Sequence, residues 1–529
     1  MRSSTLYLWI VVFLSVALGF LLGSNPVFVN QYSPVPIKGG QRLHQLVRYI
    51  DRNYVDKIDT DSLVDLVIED VIDRLDPHSA FIPEDELRFV NENMQGEFVG
   101  IGVSFFMMDD SLKIVRVIEN GPSEKVGVQA GDRILSANQD TLYGKNLSSG
   151  AIVEKLRGKP DTEVTLDLFR PKTNRRFPLK LKRAAVPIVS VYHYAINDDT
   201  GYIKINRFAQ TTSTEFETAL HELKRQGVTQ LILDLRDNPG GYMFAAEKIA
   251  DHFLAAGQSI VKIRSNQGKE EVTLAKDGGS FEDGQVYVLI NGQSASASEV
   301  VAGALQDNDR AWLLGQRSFG KGLVQQQMPL GSGSAIRLTT ARYYTPTGRS
   351  IQRPYTKGEG ERYYQEAQDR FNSGELADKS KIPLNDSLAY TTPGGRTVYG
   401  GGGIVPDIYL ENTNTLDDEW NNYILSSNLM NHFVFTVLDK DRTQWEKISR
   451  EELITQPLPN PSQWMKDLKT YLREQSVPVQ VQDTTQIYTV IRAYLGLQLF
   501  DEATRFEILH QNDAYVQQAL EALKNNPKD

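Results

Sequence analysis

The 529-residue sequence contains no cysteine, and this absence excludes several kinds of chemistry at once. Without a thiol, the chain forms no disulfide, builds no thiolate metal site and has no cysteine nucleophile. It also lacks the cysteine through which a lipoprotein is anchored. The absence does not place the chain in the cytosol, because a protein needs no disulfide to be exported.

Histidine is also scarce, with seven residues in the whole chain. None of them lies in a recognisable catalytic triad or metal motif. His221 is followed by Glu222, but the second histidine of a zinc-binding helix is missing. The net charge of −10, without a strong basic patch, argues against nucleic acid as a partner. The sequence therefore predicts no metal and no other cofactor.

The most apolar run, Leu6 to Leu22, lies at the N-terminus behind the single charge of Arg2. About 17 residues is the lower limit for crossing a bilayer, and no Ala-x-Ala cleavage site follows the run. We therefore expect residues 1–23 to be an uncleaved membrane anchor, with the bulk of the chain outside the cytoplasm. A cleaved signal, which would leave a secreted protein, is the alternative. Residues 24–40 contain three prolines and are interpreted as a linker.

The remainder divides into regions by its apolar periodicity. Residues 41–94 contain two segments with helical spacing and are expected to form an N-terminal helical module. Residues 183–412 alternate strand and helix patterns, which is typical of an α/β domain. A polar stretch at about residues 359–390 is expected to be an insertion or surface arm within that domain. Residues 413–529 are mostly helical in pattern, and we expect them to serve in packing or oligomerisation.

One strand–turn–helix pattern is suited to catalysis. A strand candidate, Val286 to Ile290, leads through a serine-rich turn into a helical pattern, Ala297 to Leu305. A hydroxyl held at such a helix N-terminus lies beside free N–H groups and the positive end of the helix dipole, which favour developing negative charge. That is suitable geometry for an acyl-transfer nucleophile. The spacing does not choose between Ser294, Ser296 and Ser298, and a helix cap is the alternative.

A serine nucleophile needs a base, and Lys321 is the best candidate in the sequence. It lies in a glycine-flanked loop, Ser318 to Gly322. A lysine acts as a base only when neutral, so its pKa must fall from about 10.4 to roughly 7–8. Burial beside Phe319 and Leu323 would lower it, and Gln325 is placed to hydrogen-bond the amine. An ordinary glycine turn is the alternative interpretation.

Eight stretches together form a recognisable pattern: LDPHSAF (75–81), GIGVSF (100–105), GPSEKVGVQAGDRI (121–134), GYIKINRF (201–208), DLRDNPGG (234–241), SASASE (294–299), FGKGLVQ (319–325) and YYTPTGRSIQ (343–352). In this order they resemble the carboxyl-terminal processing, or tail-specific, proteases, a serine–lysine peptidase family. The resemblance covers roughly residues 40–410.

The resemblance implies a role for several residues. Ser296 corresponds to the nucleophile, Lys321 to the general base and Gln325 to the residue that supports the lysine. Glu299 matches an acidic position near the site.

The resemblance also implies an oxyanion hole and a fold. The expected oxyanion donors are the N–H group of Ala297 and that of one glycine, either Gly240 or Gly241. The implied fold is the α/β fold shared with the crotonase and Clp-protease families, with a PDZ domain inserted before it. In an α/β sheet the loops after neighbouring parallel strands meet at one edge, where active sites form.

Residues 95–172 resemble that PDZ domain. A glycine-rich turn can capture a terminal carboxylate with its N–H groups, and the strand that follows can add a peptide as an extra strand. The expected peptide-binding residues are Gly100, Ile101, Gly102, Val103 and Arg157. Arg157 is a candidate contact for the bound tail or for the protease domain, and a helix-terminal surface arginine is the alternative.

These expectations combine into a serine endopeptidase of the cell envelope, on the periplasmic side of the membrane. Its partners would be proteins with free, apolar C-termini. The resemblance implies that the helical module could mediate a homodimer, and a helical lid packed on the core is the alternative. The alternatives are a non-catalytic PDZ scaffold on the same fold, a hydrolase of small esters or amides, and an enzyme whose PDZ domain blocks the site at rest.

Overall fold

The computed structural model describes residues 38–276, 278–331, 333–411, 423–424, 427–478 and 484–525. The expected anchor at residues 1–23 and most of the expected linker at 24–40 lie outside these ranges. In the part of the chain that is described, no helix combines the length and the apolar character that crossing a bilayer requires. The chain divides into two compact units, Met1–Val71 and Ile72–Asp529.

Two helices, α1 (Lys38–Asn53) and α2 (Thr60–Asp73), account for the described part of the first unit. The first helix begins inside the expected linker. Apolar side chains on these helices are exposed, among them Leu43, Leu46 and Leu66.

The expected helical module at residues 41–94 does not end with these helices. Its later part belongs to the second unit and contains a strand, β1 (Ala80–Ile82), followed by helix α3 (Glu84–Gln95). The strand was missed because three residues are too few to show a periodicity.

The expected PDZ domain is built on a six-stranded antiparallel sheet with the order β3-β4-β5-β7-β8, in which β6 pairs with β5. Its elements are β3 (Val103–Met108), β4 (Ser111–Val117), α4 (Pro122–Lys125), β5 (Arg133–Ala137), β6 (Asp140–Thr141), α5 (Ser149–Leu156), β7 (Glu163–Arg170) and β8 (Arg175–Lys182). Strand β8 pairs with β7 along its whole length, so the sheet extends past the expected boundary at residue 172. Strands β2 (Glu97–Gly100) and β9 (Ala184–Pro187) pair where the chain enters and leaves this domain.

The expected α/β domain contains a six-stranded sheet that is parallel except for its first strand. Its strands, in spatial order, are β10 (Val191–Ala195), β11 (Thr200–Ile205), β12 (Gln230–Asp234), β15 (Gln285–Ile290), β16 (Trp312–Gly315) and β21 (Ile408–Tyr409). The helices packed with its first face are α6 (Thr212–Arg225), α7 (Met243–Asp251) and α8 (Ala297–Asp307). Strands buried on both faces read as continuous apolar runs, which is why the sequence located the central strands.

A second sheet packs beside the first. Its strands have the order β1-β18-β13-β14, and β17 also pairs with β18. They are β13 (Ser259–Ser265), β14 (Glu270–Leu274), β17 (Leu323–Pro329) and β18 (Ala335–Tyr344), together with β1. This sheet brings the segment before the PDZ domain next to the loop that carries Lys321.

The polar stretch at residues 359–390 lies on the surface of the core, with most of its residues exposed and a few side chains buried against the core. It contains α9 (Gly360–Tyr364), α10 (Glu366–Ser373) and two 3-10 turns, and it ends in the first strand of the hairpin formed by β19 (Ala389–Thr391) and β20 (Thr397–Tyr399). Tyr363, Arg370 and Glu375 are buried. The buried charges have partners: Arg370 pairs with Glu366 at 3.1 Å, and Glu375 pairs with Arg317 at 2.7 Å.

The C-terminal region is helical, as predicted. Its described helices are α11 (Leu429–Lys440), α12 (Arg442–Trp445), α13 (Arg450–Thr455), α14 (Pro461–Glu474), α15 (Thr484–Leu499), α16 (Glu502–His510) and α17 (Ala514–Asn525). Most of them share a core of their own, whereas α17 packs Val516, Ala519 and Leu523 on the second face of the parallel sheet. The mixed α/β architecture with helical N- and C-terminal regions is thereby confirmed.

Candidate active site

Three serines lie at the start of helix α8, and they differ in burial and in hydrogen bonding. Ser294 and Ser298 are fully buried and donate their hydroxyl protons to the main-chain oxygens of Leu235 and Asn238, at 2.8 and 2.9 Å. The Ser296 side chain between them is only partly buried, and its hydroxyl donates no hydrogen bond to any described residue. A hydroxyl committed to a buried carbonyl is poorly available for chemistry, so Ser296 is the accessible candidate.

Ser296 has a positive φ of 56°. For a residue with a side chain this conformation costs on the order of 1–2 kcal/mol, and it is typical of side chains presented at a sharp strand-to-helix turn. The turn also depends on Gly240, where an added Cβ would lie 2.8 Å from the Ser296 Cβ. The close approach therefore requires glycine at that position.

Lys321 lies in the loop after β16, the strand next to the one that leads to Ser296. Its Nζ donates to Gln325 Oε1 at 2.8 Å. Burial, helped by the positive charge of Arg337, lowers the pKa of Lys321 to about 8, although Glu299 and Asp76 raise it. A substantial fraction of a lysine with this pKa is neutral near neutral pH, as a general base must be.

Gln325 is itself anchored by a residue that the sequence did not single out. Its Nε2 donates to the main-chain oxygen of His78. The His78 ring lies against Phe319 and Tyr363, with ring centroids 6.3 and 5.0 Å away. The LDPHSAF motif was the available signal, since it belongs to the resemblance, but nothing local in it indicates which distant loop it contacts.

Glu299 joins the serine turn to the lysine loop. Its fully buried carboxylate accepts from Ser296 N at 2.8 Å and from Lys321 N at 2.9 Å through Oε2. Oε1 accepts from Gly320 N at 2.7 Å and from the Ser318 hydroxyl at 2.5 Å. Four donors fill the capacity of one carboxylate, so the relative position of the two loops is fixed by one side chain.

The glycine turn after β12 lies directly beside Ser296. The N–H of Gly240 is already bound to Asn238 Oδ1 at 2.9 Å. The N–H groups of Gly241 and Ala297 form no hydrogen bond with any described residue. These two are therefore the donors available to a substrate oxygen at this position.

Arg236 anchors the same turn to the C-terminal region. It pairs with Asp234 at 2.6 Å and with Asp513 at 2.9 Å, and its guanidinium lies 4.9 Å from the centre of the Tyr515 ring. Sequence reasoning assigned no chemistry to the tail and missed this contact, because Asp513 lies 277 residues from Arg236 along the chain.

The expected peptide-binding turn lies at one edge of the PDZ sheet. Gly102 has a φ of 76°, and the oxygens of Ile101 and Gly102 accept from Ser123 N and Ile118 N at 3.0 Å. Gly100 ends β2, and Val103 opens β3. In the described part of the chain β3 pairs only with β4, so no strand occupies its other edge, where a peptide could add as a strand.

The ion pair and the ring contact of Arg157 are with residues outside that edge strand. Arg157 caps the C-terminus of α5, pairs with Glu92 of α3, and lies 4.9 Å over the ring of Phe98. Its contacts are thus with the segment that precedes the PDZ domain, rather than with the protease core.

Comparison with known proteins agrees with this architecture. A family model described as Peptidase family S41 matches residues 199–358, and one described as PDZ domain matches residues 99–181. A carboxy-terminal-processing protease from Bartonella bacilliformis is 35% identical over 316 residues, which are 59% of this chain and 72% of that protein. The chain belongs to the carboxy-terminal processing proteases of peptidase family S41.

Other members of the family are similar to this chain. The carboxy-terminal processing protease CtpB of Bacillus subtilis is 31% identical over 358 residues, or 66% of this chain and 73% of that protein. Among solved structures, the photosystem II D1 C-terminal processing protease is 26% identical, with a TM-score of 0.36, covering 71% of this chain and 87% of that one. The predicted family, the serine-type peptidase activity and the PDZ domain, a kind of domain that binds peptide C-termini, are confirmed.

The role of Glu299 leads to a prediction. Replacing it with glutamine puts an NH₂ group where an oxygen now accepts two donors, so at least one buried N–H loses its partner. We expect Glu299→Gln to reduce kcat at least ~100-fold through misplacement of the two loops, and to lower the free energy of unfolding by about 2–3 kcal/mol. Peptidase assays and urea unfolding measure the two effects. Glu271→Gln, at an exposed pair with Lys269, is the control and should change neither; a fully active Glu299→Gln enzyme contradicts the role.

Proposed function

We propose that this S41 protease is an endopeptidase with Ser296 as the nucleophile and Lys321 as the general base, and that it acts on proteins recognised by their C-terminal tails. The observation that carries the mechanism is the environment of Lys321. Its amine is largely buried, has a pKa of about 8 and is held by Gln325. Its main chain and that of Ser296 are bound by the same Glu299 carboxylate.

The reaction follows from these positions. Neutral Lys321 removes the proton from the Ser296 hydroxyl while Oγ attacks the carbonyl carbon of the peptide. The N–H groups of Ala297 and Gly241 stabilise the oxyanion, and Gly241 is favoured over Gly240 because the latter already binds Asn238. The lysine ammonium returns its proton to the leaving amine, which departs and leaves an ester on Ser296. Lys321 then removes a proton from water as the oxygen attacks the ester carbon; the bond to Ser296 Oγ breaks, the lysine ammonium returns its proton to Oγ, and the second product leaves with a free carboxylate.

In this structure Lys321 Nζ donates to Gln325 and not to the Ser296 hydroxyl. Catalytic hydrogen bonds often form only when substrate is bound. In the proposal Gln325 therefore holds the amine at the edge of the site, and the lysine turns toward Ser296 when a peptide arrives.

The PDZ domain supplies the proposed recognition of the substrate tail. The turn from Gly100 to Val103 offers main-chain N–H groups to a terminal carboxylate, and the open edge of β3 offers ladder hydrogen bonds to the residues before it. Main-chain contacts alone give little selectivity, so the apolar preference of the tail would come from side chains such as Ile101 and Val103.

The location and assembly of the protein are also proposals. The apolar run Leu6–Leu22 behind Arg2 supports an anchor in the envelope membrane with the protease on the periplasmic side. The exposed Leu43, Leu46 and Leu66 support association of two copies through α1 and α2. Fractionation of cells should recover the protein in the membrane, and light scattering on a detergent extract should give a dimer. Recovery in the soluble fraction, or a monomer, contradicts the respective proposal.

The mechanism predicts a particular mutational pattern and pH dependence. Ser296→Ala and Lys321→Ala should each reduce cleavage of an unstructured protein by ~10³-fold or more. Lys321→Arg should be equally inactive, because an arginine does not lose its proton. Since only neutral lysine acts as the base, kcat/KM of the wild type should rise with pH and level off above about 8.

The controls for this experiment are Lys269→Ala, at an exposed lysine, and labelling of Ser296 with a fluorophosphonate. Lys269→Ala should cut at the wild-type rate. Full activity in Lys321→Ala would show that the base is misassigned, and failure of the reagent to label Ser296 would favour a non-catalytic PDZ scaffold.

Carboxylate capture predicts a difference between two forms of one substrate. A protein ending in an apolar residue with a free carboxylate should be cleaved with at least ~10-fold higher kcat/KM than the same protein ending in an amide, because the amide carries no charge for the N–H groups of the turn. The difference should lie mostly in KM. Equal rates for both forms would refute capture by this turn and leave the Ser296 chemistry intact.

A further inference from the structure

The insertion at residues 359–390 contacts two chain segments that lie near Lys321. From α10, Arg370 donates to the main-chain oxygens of Arg317 and Ser318, both at 3.0 Å. From α9, the Tyr364 hydroxyl donates to the main-chain oxygen of Pro77 at 2.6 Å. The insertion therefore contacts both the lysine loop and the turn that anchors Gln325. It also lies beyond residue 358, where the match to the S41 family ends.

Tyr363 lies at the centre of these contacts. Its hydroxyl accepts from Gln352 Nε2 at 3.2 Å and is 3.0 Å from His78 Nε2. Gln352 in turn accepts from Gly322 N, next to the catalytic lysine, at 2.8 Å. Because Gln352 donates through Nε2, the proton of the tyrosine hydroxyl is free to be donated to His78. His78 Nε2 accepts it in the tautomer whose ring carries its proton on Nδ1.

From His78 the contacts continue to the reacting amine. The main-chain oxygen of His78 accepts from Gln325 Nε2, and Gln325 Oε1 accepts from Lys321 Nζ. Four residues thus form one continuous connection from the insertion to the base: Tyr363, His78, Gln325 and Lys321. A shift of the His78 turn would move the carbonyl that orients the Gln325 amide, because a hydrogen bond loses strength quickly with distance and angle.

The Tyr363 ring is also a barrier to water. The guanidinium of Arg353 is stacked between this ring and that of Phe319, at 3.7 and 4.1 Å from the ring centres. A cavity of about 620 Å³ is lined by Tyr363 and Arg353 but not by His78, which contacts the Tyr363 hydroxyl at 3.0 Å. The phenol therefore stands between the cavity and the residues next to Lys321, and it is only 6% exposed.

The charges are consistent with this arrangement. Burial, together with the positive charges of Lys321 and Arg353, lowers the pKa of His78 to about 3, although Asp76 raises it. The ring is therefore neutral at any pH at which the enzyme would work. A neutral acceptor beside Tyr363 lets the two side chains close the site without adding a charge.

We propose that Tyr363 is a positioning residue for Lys321: its hydroxyl holds His78, and through it Gln325, while its ring keeps water from the amine. This inference rests on the proposed serine–lysine mechanism. It gives the polar insertion a function in positioning the base.

Tyr363→Phe tests the hydroxyl while leaving the ring in place. Without the donor, His78 Nε2 needs another partner, and a water molecule admitted there would solvate the Lys321 ammonium and raise its pKa. We expect the midpoint of the pH dependence of kcat/KM to move up by about one unit, so that activity at pH 7 falls about tenfold and approaches the wild-type value at high pH. A variant with merely weakened packing would lose activity at every pH.

The matched control is Tyr355→Phe. Tyr355 packs edge-on against Tyr363, with ring centroids 6.3 Å apart, and its hydroxyl forms no hydrogen bond with any described residue. Its pH midpoint should equal that of the wild type. Thermal unfolding of both variants shows whether either loses stability.

A double-mutant cycle with His78→Phe keeps the test decisive if one variant is poorly folded. His78→Phe removes the ring acceptor and keeps the carbonyl that binds Gln325. If the two residues act through one hydrogen bond, each single variant and the double variant should show the same shift. Shifts that add, or an unchanged midpoint in Tyr363→Phe, would overturn the inference.

The pH dependence of fluorophosphonate labelling at Ser296 provides a second readout that needs no protein substrate. If Ser296 is labelled and the variants share the wild-type midpoint, the inference is wrong and the proposed function stands. If Ser296 of the wild type is not labelled at any pH, the proposed function is wrong, and the inference falls with it.

Discussion

The carboxylate of Glu299 is the interaction on which the candidate site depends. Its two oxygens bind main-chain N–H groups on both sides of the site, those of Ser296 and Lys321, and two further donors from the lysine loop. The serine turn and the lysine loop follow neighbouring parallel strands, which bring them to one edge of the sheet but do not set their register to within an ångström. The carboxylate does so, because it is buried and every acceptor position is used. Burial raises the pKa of Glu299, and the four donors oppose that rise.

A second balance determines whether Lys321 is a base. Burial and Arg337 favour the neutral amine, whereas Glu299 and Asp76 favour the ammonium, and the pKa settles near 8 instead of its usual 10.5. That difference corresponds to about 3 kcal/mol. Because the folded state binds the proton less tightly than the unfolded chain, this free energy is lost from stability at neutral pH and recovered as the pH rises toward 10. The site is therefore a place where stability is given up for reactivity.

Regions outside the parallel sheet stabilise the site against this cost. The insertion packs on the lysine loop through Arg370, and the C-terminal region holds the glycine turn through the pair between Asp513 and Arg236. Helix α17 covers the second face of the sheet, which a parallel sheet requires. At the far end of α8, which begins after Ser296, Asp307 is held by the fully buried Arg349 at 2.7 Å. Together these contacts stabilise the loop, the turn, the sheet and the helix that carry the residues of the site.

Much of this molecule follows from local sequence. The apolar run before Ser296, the helical spacing after it and the glycine-flanked Lys321 predict two loops at one edge of an α/β sheet, because strand and helix periodicities are properties of neighbouring residues. The resemblance to the family adds the choice of Ser296 and the spacing to Gln325. The hydrogen-bond partners of these residues do not follow from local sequence. His78 binds Gln325 across 247 residues, and Tyr363 reaches His78 across 285.

Only the tertiary structure decided which hydroxyl is accessible, which glycine N–H is unoccupied and why the lysine has a low pKa. Each of these depends on what packs over a residue, and burial and charge are set by segments far away in the chain. The composition of residues 359–390 could not show which of its polar side chains would be buried, since a charged side chain is buried only where its partners are. The sequence determined which groups are present and which loops carry them; the fold determined their protonation, their exposure and their partners.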